Sequence, residues 1–567
     1  MKNHLPILRI ATIGLAVGSL FSSVTVTAAN GEFMVKNLPA HSSTAPNTDR
    51  IIVKLHSMQP AFMARGIETN KMHNLSGLAG IELVMHRPLT GGAHVLKLPK
   101  KMKEAEVESY VSSLRSHPDV IFAEVDRVRR AELVPNDTYY AGKQVNLQGG
   151  STFFADQWYL KNETGGMNAP AAWDITTGDP NLRIAVLDSG MAPQSEMSGR
   201  NSGGYDFIAD IPSANDGDAR DNNPADPGDW VITADITDPK YADCGFAAGD
   251  ETESSWHGTS VAGIIGAATN NGAGIAGINW KSPIASMRVL GKCGGFDSDI
   301  SDAIRYAAGV TDAAIPNNTA PARVMNLSLG GTDAGGCGNF YPSAIADATA
   351  KNVVIVASAG NANIDAAGHA PGGACAGMIA VAATGKFGER ADYSNFGAAV
   401  TISAPGGNVA GTGFDGSIWH IINNGVTTPI LGTAGDNFAA GVGTSFAAPM
   451  VTGVVSLMLS VNPGLTPAQV LSILRSTAKP FPVLSAEQRN AGMLQCTTSL
   501  CGAGIVDAAA AVAEAQKQPG GIQINNNSGG GGGGCSFSSV NGSIDISLPL
   551  LLSMALLWRA SVRRRKI

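Results

Sequence analysis

The chain has 567 residues, of which 15% are charged and 44% are hydrophobic, and its formal net charge at pH 7 is −7. This length exceeds one ordinary domain and allows a large buried core. The net negative charge argues against nucleic acid as a partner, because nucleic-acid binding relies on a basic surface.

Residues 1–29 have the layout of a secretory signal peptide. Lys2 and Arg9 precede an apolar run from Ile10 to Phe21, and small residues follow up to Ala29. The run is short for a permanent membrane anchor, and a buried N-terminal helix is the weaker interpretation. We therefore expect the chain to be exported.

Residues 30–130 predict a small α+β domain. Apolar periodicity indicates strands at Arg50–Leu55, His94–Leu98 and Val120–Glu124 and a helix at Lys103–Leu114. The domain ends in the basic run 127–130, and a segment without periodicity follows it up to Gly150. This pattern is typical of a domain boundary that is cut, here at a position between Arg130 and Ser151.

Residues 151–515 predict a second, larger domain. Apolar strands alternate with helices, which indicates an α/β fold with a doubly wound, mostly parallel sheet and helices on both faces. The predicted strands are Arg183–Leu187, Val324–Leu327 and Val353–Ala357. The predicted helices are His257–Ala268, Ser301–Ala308, Ser343–Lys351 and Ser445–Leu459, and a capping box at Thr466 begins a further one.

The C-terminal part differs in composition from both domains. Residues 516–534 are rich in glycine, asparagine and serine, which predicts a flexible linker. Residues 535–567 begin with Cys535 and contain an apolar stretch, Ile544–Trp558, before a basic end. Because Asp545 and Pro549 interrupt that stretch, it is a marginal membrane span. We expect a sorting or anchor segment.

Six cysteines lie between residues 244 and 501. An even number in an exported chain favours disulfides over metal ligands, and the chain has no Cys-x-x-Cys pair. Six cysteines allow 15 connectivities. Pairing of sequence neighbours predicts the bonds Cys244–Cys293, Cys337–Cys375 and Cys496–Cys501.

Three residues stand where catalytic groups are expected. Asp188 closes an apolar strand, where open α/β sheets place their sites. His257 begins a helix of small residues, and Ser445 lies at a helix N-terminus, which favours a developing negative charge. Taken alone, each also fits a structural role as a turn former, a buried histidine or an N-cap.

The chain order Asp, His, Ser differs from the orders in chymotrypsin and in the α/β-hydrolases. The motifs Leu-Asp188-Ser-Gly, His257-Gly-Thr and Gly-Thr-Ser445-Phe-Ala-Ala-Pro resemble those of the subtilisin-like serine peptidases, the subtilase family, over about residues 150–515. The resemblance implies that Asp188, His257 and Ser445 form a catalytic triad. It implies no cofactor for the chemistry.

Two further segments resemble parts of the family's cleft. Val-Ala-Ser-Ala-Gly-Asn361 resembles the segment whose asparagine serves the oxyanion hole, so we expect Asn361 and the Ser445 amide to bind the oxyanion. Asn326-Leu-Ser-Leu-Gly-Gly331 resembles the segment that pairs with an extended substrate. The expected substrate-binding residues are Ser328, Leu329, Gly330, Ala357, Ser358, Ala359 and Gly360.

An acidic loop, residues 215–229, lies between Asp188 and His257. Oxygen ligands in a flexible loop suit Ca²⁺, and many subtilases carry calcium. This loop predicts a structural calcium ion at Asp216, Asp218 and Asp221. The spacing is not that of an EF-hand, and a solvated acidic loop remains the alternative.

The two ends of the chain also resemble known segments. Residues 30–130 resemble the inhibitory propeptide of subtilases, which implies that the domain inhibits its own enzyme until it is cut. The tail resembles bacterial glycine-rich sorting signals that a rhomboid-like protease removes. These resemblances imply a protein that is secreted from a bacterium or held at its surface. Nothing in the sequence requires more than a monomer, so we expect one.

The sequence thus predicts a self-processing serine endopeptidase that cleaves extended protein substrates. A binding protein or adhesin that has lost the chemistry is one alternative, but it does not require Asp188, His257, Asn361 and Ser445 together. An esterase is another. The triad order and the absence of a Gly-x-Ser-x-Gly motif at Ser445 argue against it.

Overall fold

The computed structural model describes residues 48–56, 67, 69–89, 92–126, 134–146, 152–332, 336–410 and 412–521. All of them belong to one compact unit. The predicted signal peptide, most of the predicted linker and the predicted C-terminal segment lie outside the described residues. So do the basic run 127–130 and residues 147–151.

The elements of the described chain are numbered in chain order. The strands are β1 (Thr48–Leu55), β2 (Val84–Pro88), β3 (Ala93–Met102), β4 (Val120–Val125), β5 (Lys143–Asn146), β6 (Thr152–Ala155), β7 (Ile184–Asp188), β8 (Asn201–Asp206), β9 (Ile284–Arg288), β10 (Val324–Leu327), β11 (Gly331–Thr332), β12 (Val354–Ser358), β13 (His369–Ala370), β14 (Ile379–Thr384), β15 (Ile402–Pro405), β16 (Ile418–Asn423) and β17 (Asp436–Gly441). The α-helices are α1 (Thr69–Ala79), α2 (Glu104–Arg115), α3 (Thr138–Ala141), α4 (Ala169–Trp173), α5 (Ile211–Ala214), α6 (Thr233–Thr237), α7 (His257–Gly266), α8 (Asp297–Ala307), α9 (Phe340–Ala350), α10 (Thr444–Val461), α11 (Pro467–Thr477), α12 (Ala486–Asn490) and α13 (Ala508–Lys517).

Residues 48–126 contain an antiparallel sheet in the order β2-β3-β1-β4, with α1 and α2. Alternate residues of β1 are buried in its core with Val107, Val111 and Leu114 of α2, which recur at helical spacing. The three predicted strands and the predicted helix are therefore present. Strand β2 was not predicted because most of its side chains are exposed, and helix α1 was not predicted because it is rich in polar residues.

The larger domain contains a seven-stranded sheet in the order β15-β14-β12-β10-β7-β9-β8. Every neighbouring pair is parallel. Successive residues of β7 point to opposite faces, so that Ile184 and Val186 join one apolar cluster while Ala185 and Leu187 join another. The predicted parallel α/β architecture is confirmed.

Helix α10 is the central helix of one of these clusters. Its residues are apolar on all sides, and almost every side chain from Thr444 to Val461 is buried. Among the described residues it is the one helix long and apolar enough to cross a membrane, but 94% of that stretch is buried inside the domain. Its composition therefore reflects burial in the core.

The boundaries of several predicted helices change. Helix α8 begins at Asp297, four residues before the predicted start at Ser301, because Asp297 and Asp299 form an acidic first turn. Helix α7 ends at Gly266, and α13 continues to Lys517, past the predicted domain end at 515.

The larger domain also includes residues that precede 151. Asp137 is fully buried, and both its carboxylate oxygens accept from the Asn270 amide, at 2.8 and 3.0 Å. Tyr139 stacks on Trp419 with 4.9 Å between ring centroids. Residues 134–141 therefore pack on the larger domain, although the predicted boundary at 151 excluded them. The sequence carries little periodicity there, because single anchoring side chains hold this segment.

The structure joins the cysteines in the pairing expected from the sequence. Bonds link Cys244 to Cys293, Cys337 to Cys375 and Cys496 to Cys501, with Cα–Cα distances of 4.8, 4.9 and 5.7 Å. All three lie in the larger domain, and the bonded cysteines have sequence separations of 49, 38 and 5.

Replacing glycine by alanine should have opposite effects on stability at two helical positions, Gly453 and Gly77. A Cβ on Gly453 of α10 would lie 2.7 Å from Ile278, whereas a Cβ on Gly77 of α1 would contact nothing within 4 Å. We expect Gly453→Ala to lower the melting temperature of the larger domain, because overpacking costs about 1–3 kcal/mol. We expect Gly77→Ala to raise that of the small domain, since alanine gains about 1 kcal/mol in a helix. Calorimetry of each variant measures both, and a stabilising Gly453→Ala would contradict the packing of α10.

Candidate active site

The predicted site residues meet at the carboxyl edge of the parallel sheet. Asp188 ends β7, while Ser328 follows β10 and Asn361 lies three residues beyond β12. These three strands are neighbours in the sheet. Because parallel strands present their carboxyl ends at one edge, residues far apart in the chain come together there.

Asp188 and His257 form a hydrogen-bonded pair. The distance between His257 Nδ1 and Asp188 Oδ1 is 2.7 Å, and the same oxygen accepts from the Ser189 amide at 2.8 Å. Asp188 is 1% exposed. Its second oxygen, Oδ2, is buried and has no hydrogen-bond partner within the described chain. The aspartate thus holds the imidazole by one oxygen.

This pairing alters the proton affinity of the imidazole. Burial lowers the pKa of His257, whereas the charge and hydrogen bond of Asp188 raise it, and the net pKa lies above its usual value of 6.5. Asp229 and Asp226 contribute in the same direction. The ring is therefore a stronger base than a free histidine.

Close packing fixes the helix that carries His257. A Cβ on Gly258 would lie 2.1 Å from the Gly190 carbonyl oxygen. Only glycine therefore lets the start of α7 approach the turn after β7. The small residues that the sequence shows after His257 have this packing role.

Ser445 is the second residue of α10 and is half-buried. Its Oγ donates a long hydrogen bond, 3.4 Å, to the Ser328 carbonyl oxygen. Within the described residues Ser445 makes no hydrogen bond to His257. The ring of Phe446, the next residue, lies 6.5 Å from the His257 ring, so that the start of α10 is beside the histidine.

Asn361 is anchored to the helix that carries Ser445. Its Oδ1 accepts from the Thr444 amide at 2.9 Å and from Thr444 Oγ1 at 2.7 Å. Its Nδ2 would lie 3.7 Å from a Cβ placed on Gly443. Asn361 Oδ1 is therefore engaged by two donors of Thr444, and Asn361 Nδ2 lies next to the start of α10, where it can act as a donor.

A buried polar chain that the sequence analysis missed holds the Ser445 backbone. Ser328 Oγ donates to the Ser445 carbonyl at 2.7 Å and accepts from Asn326 Nδ2 at 2.8 Å. Thr452 Oγ1 donates to Asn326 Oδ1 at 2.9 Å. The Ser328 side chain thus supports Ser445. No sequence pattern signalled this, because the chain joins two elements 126 residues apart.

The expected substrate-binding segments contribute mainly backbone. Ala357, Ser358, Ala359, Gly360, Ser328 and Leu329 are buried, whereas Gly330 is exposed. The His369 side chain lies between the two segments: its Nε2 is 2.5 Å from a Cβ placed on Gly330, and its Nδ1 is 2.7 Å from one on Gly360. No sequence motif pointed to His369, because it is remote from the triad motifs in the chain.

The structure does not gather the predicted calcium ligands into a metal site. The Asp216 carboxylate pairs with Arg288 at 2.7 Å. Within the described residues, no group of three or more His, Cys, Asp or Glu side chains could hold a metal ion. Asp216, Asp218 and Asp221 therefore do not fit calcium in this arrangement, because a buried arginine takes the first of them.

A different pair of carboxylates, Asp137 and Glu196, lies beside the start of the larger domain, and one oxygen of Glu196 has no donor within the described chain. Glu196 is buried, and its Oε2 has no hydrogen-bond partner in the described chain. Burial raises the pKa of Glu196 to about 7, and the charge of Asp137 adds to this. Asn271 Nδ2 donates to Glu196 Oε1 at 3.3 Å, and Tyr139 N donates to the Gly274 carbonyl at 2.9 Å. The segment from residue 137 and the loop 270–274 thus meet at this pair.

Comparison with known proteins assigns the family. Residues 179–529, more than half of the chain, match the subtilase family. The extracellular protease of Xanthomonas campestris pv. campestris is 39% identical over 430 residues, which are 76% of this chain and 65% of that protein. The extracellular basic protease of Dichelobacter nodosus is 35% identical over 498 residues, which are 86% of this chain and 74% of that protein.

A solved structure of proteases from Pseudoalteromonas arctica is 39% identical, with a TM-score of 0.58, and the match covers 68% of this chain and all of that one. The chain spans just under two thirds of the Xanthomonas protein and about three quarters of the Dichelobacter protein. With the parallel sheet and the Asp188–His257 pair at its carboxyl edge, these matches lead to one conclusion: the chain belongs to the subtilase family.

Proposed function

We propose that the protein is a secreted serine endopeptidase that hydrolyses peptide bonds in extended segments of other proteins. The 2.7 Å hydrogen bond between Asp188 and His257, beside the helix that begins with Thr444 and Ser445, carries this proposal. The names of the Xanthomonas and Dichelobacter relatives, both extracellular proteases, support the activity and the export.

In the proposed mechanism, Ser445 Oγ attacks the carbonyl carbon of the scissile bond. His257 accepts the hydroxyl proton and later delivers it to the leaving amine, and water then hydrolyses the acyl-enzyme by the same steps. Asp188 holds the ring and stabilises its cation. The raised pKa of His257 supports this role, because a stronger base takes the proton more readily. Substrate binding has to turn Ser445 Oγ from the Ser328 carbonyl toward the imidazole.

The oxyanion would be bound by Asn361 Nδ2 and by the Ser445 backbone amide. Two contacts from Thr444 hold the Asn361 oxygen, which turns the amide nitrogen into a fixed donor. The N-terminus of α10 adds favourable dipoles at the same place. Donors fixed before the reaction stabilise the developing charge without reorganisation.

The substrate would bind as an extended strand along the exposed backbone near Gly330. Main-chain hydrogen bonds of this kind accept any peptide, so side-chain preference has to come from pockets beside them. His369 lies between the two expected cleft segments, and burial lowers its pKa, so that it is neutral at neutral pH.

Residues 30–130 would act as an inhibitory propeptide that the enzyme removes itself. The packing of residues 134–141 on the larger domain supports a cut on the N-terminal side of Val134, because Asp137 and Tyr139 are anchored in that domain. Removal of the C-terminal segment by a rhomboid-like protease, and retention at the cell surface, stay predictions from the sequence.

We further propose that a structural calcium ion binds at Asp137 and Glu196. Both carboxylates are buried, and Glu196 Oε2 lacks a donor within the described chain. Calcium prefers such oxygen ligands. It would join the segment from residue 137 to the loop 270–274 and so stabilise the start of the larger domain.

Replacement of Ser445 tests the triad. We expect Ser445→Ala to lower casein hydrolysis about a million-fold, since the triad acts as a unit. We also expect intact mass to show the small domain still attached in that variant. Ser460→Ala, on the same helix, is the matched control and should keep wild-type activity and processing. Normal maturation of Ser445→Ala in a host without other proteases would contradict self-processing.

Replacement of Asn361 tests the oxyanion hole. We expect Asn361→Ala to lower kcat about 100- to 1000-fold with little change in KM, because the lost donor acts on the transition state. Thr444→Ser keeps the hydroxyl that anchors Asn361 and should stay near the wild-type rate. A KM effect with unchanged kcat would assign Asn361 to substrate binding.

Chelation tests the calcium site. We expect EGTA to lower the melting temperature, because an ion bound only by the native state contributes about 2.7 kcal/mol at a hundredfold excess over Kd. Asp137→Asn should abolish this response. The Asp216→Asn variant should still lose melting temperature in EGTA. Its melting temperature without EGTA should already be lower than that of the wild type, because the ion pair with Arg288 is lost. If Asp216→Asn abolishes the response to EGTA and Asp137→Asn keeps it, the calcium site lies in the acidic loop. If EGTA leaves the melting temperature of the wild type unchanged, the proposal of a calcium site is wrong.

A further inference from the structure

Helix α7, which begins with His257, has no cap of its own. The residue before it, Trp256, is in the left-handed region with φ 49° and makes no side-chain hydrogen bond to the helix. The first amides of any helix lack partners inside it and need an acceptor from elsewhere. The amides of His257 and Gly258 are in this position.

Two serine side chains act as these acceptors. The His257 amide donates to Ser255 Oγ at 3.3 Å, and the Gly258 amide donates to Ser189 Oγ at 3.0 Å. Ser189 directly follows Asp188. One hydroxyl therefore ties the turn that carries Asp188 to the first turn of the helix that carries His257.

Each serine is held in turn by an aspartate of the acidic loop. Ser189 Oγ donates to Asp226 Oδ2 at 2.8 Å. Ser255 Oγ donates to Asp229 Oδ2, and the Ser255 amide to Oδ1, both at 2.6 Å. Because each hydroxyl proton points to a carboxylate, the lone pairs of the oxygen remain for the helix amide.

Asp226 is the less expected of the two aspartates. It is 2% exposed, and among the described residues no lysine or arginine forms an ion pair with it, although the charge of Arg288 acts on it from a greater distance. Within the described part of the chain, its carboxylate accepts from Ser189 Oγ and from the Gly228 amide, at 2.8 and 2.9 Å. A buried carboxylate without a cation is costly, and such groups cluster at functional sites.

We propose that Asp226 and Asp229 are positioning residues for His257, each holding a serine that caps one of the first two amides of its helix. This inference rests on the proposed function and adds two acidic groups to its machinery. The loop that carries them thereby aligns the imidazole with Asp188.

The same carboxylates also act on the imidazole by their charge. The groups that face His257 are Asp188 at the end of β7, Asp226 and Asp229 in the acidic loop, and His420 on β16. Burial lowers the pKa of His420 to about 4, so it is neutral near pH 7. The three aspartates raise the pKa of His257 against the effect of burial. Burial and the charge of Asp229 raise the pKa of Asp226 to about 7, so its charge is complete only above neutral pH.

Variants of the full chain distinguish the effect of the serine caps on kcat from the effect of the aspartate charges on the pKa of His257. Asp229→Asn and Asp226→Asn remove a charge, and we expect the acid limb of kcat/KM to move to lower pH, by about half a unit for Asp229 and by less for Asp226. Ser189→Ala and Ser255→Ala remove a cap and keep the charge, and we expect kcat to fall roughly tenfold with KM and the acid limb unchanged. The pair Asp226→Asn and Ser189→Ala should be non-additive in kcat.

A helix cap far from the site is the matched control. Asp507 accepts from the Ala510 amide at 3.0 Å at the start of α13. Asp507→Asn should lower the melting temperature and leave kcat and the pH profile unchanged. If the Asp226 and Asp229 variants behave like Asp507→Asn, the two carboxylates are only structural and the inference is wrong.

An NMR titration of the His257 imidazole separates this inference from the proposed function, because it needs no activity. A lower imidazole pKa in Asp229→Asn supports the inference even if the wild type cleaves no peptide, and an unchanged pKa together with unchanged kcat overturns it. If an aspartate variant does not fold, the kcat of the corresponding serine variant decides.

Discussion

The hydrogen bond between the buried Asp188 carboxylate and His257 Nδ1 is the interaction on which the rest of the site depends. A carboxylate that is 1% exposed is stable only with donors, and here the donors are this ring and the Ser189 amide. The bond requires the end of β7 and the start of α7 to lie in contact. Gly258, which has no side chain to separate them, allows that contact.

Ser445, the proposed nucleophile, is positioned through polar groups buried between the sheet and α10. One chain runs from Thr452 through Asn326 and Ser328 to the Ser445 carbonyl, and a second contact joins Asn361 to Thr444. Hydrogen bonds in a dry interior are directional and costly to break. These hydrogen bonds therefore fix the distances from Ser328 and Asn361 to the start of α10, although the backbone before Ser445 is rich in glycine.

In the acidic loop, residues 215–229, the tertiary contacts give neighbouring aspartates different partners. Its aspartates are a cluster in the sequence, but the fold separates them: Asp216 pairs with Arg288, while Asp226 and Asp229 hold serines beside His257. Glu196 and Asp137, which lie far apart in the chain, come together instead. Charge density along a sequence does not reveal which carboxylates share a site, because side chains meet in space.

The amino-acid sequence predicted the parallel α/β fold and the cysteine pairing, and it identified Asp188, His257, Asn361 and Ser445 as candidate site residues. These features depend on local signals: apolar periodicity, glycine next to a functional residue, and short motifs at strand and helix ends. Four features became visible only in the folded chain: the edge strand β2, the anchoring of residues 134–141, the place of His369 and the partners of each acidic residue. The reason is that these contacts join segments that are distant in the chain. The local sequence of one segment does not indicate which other segment it will contact.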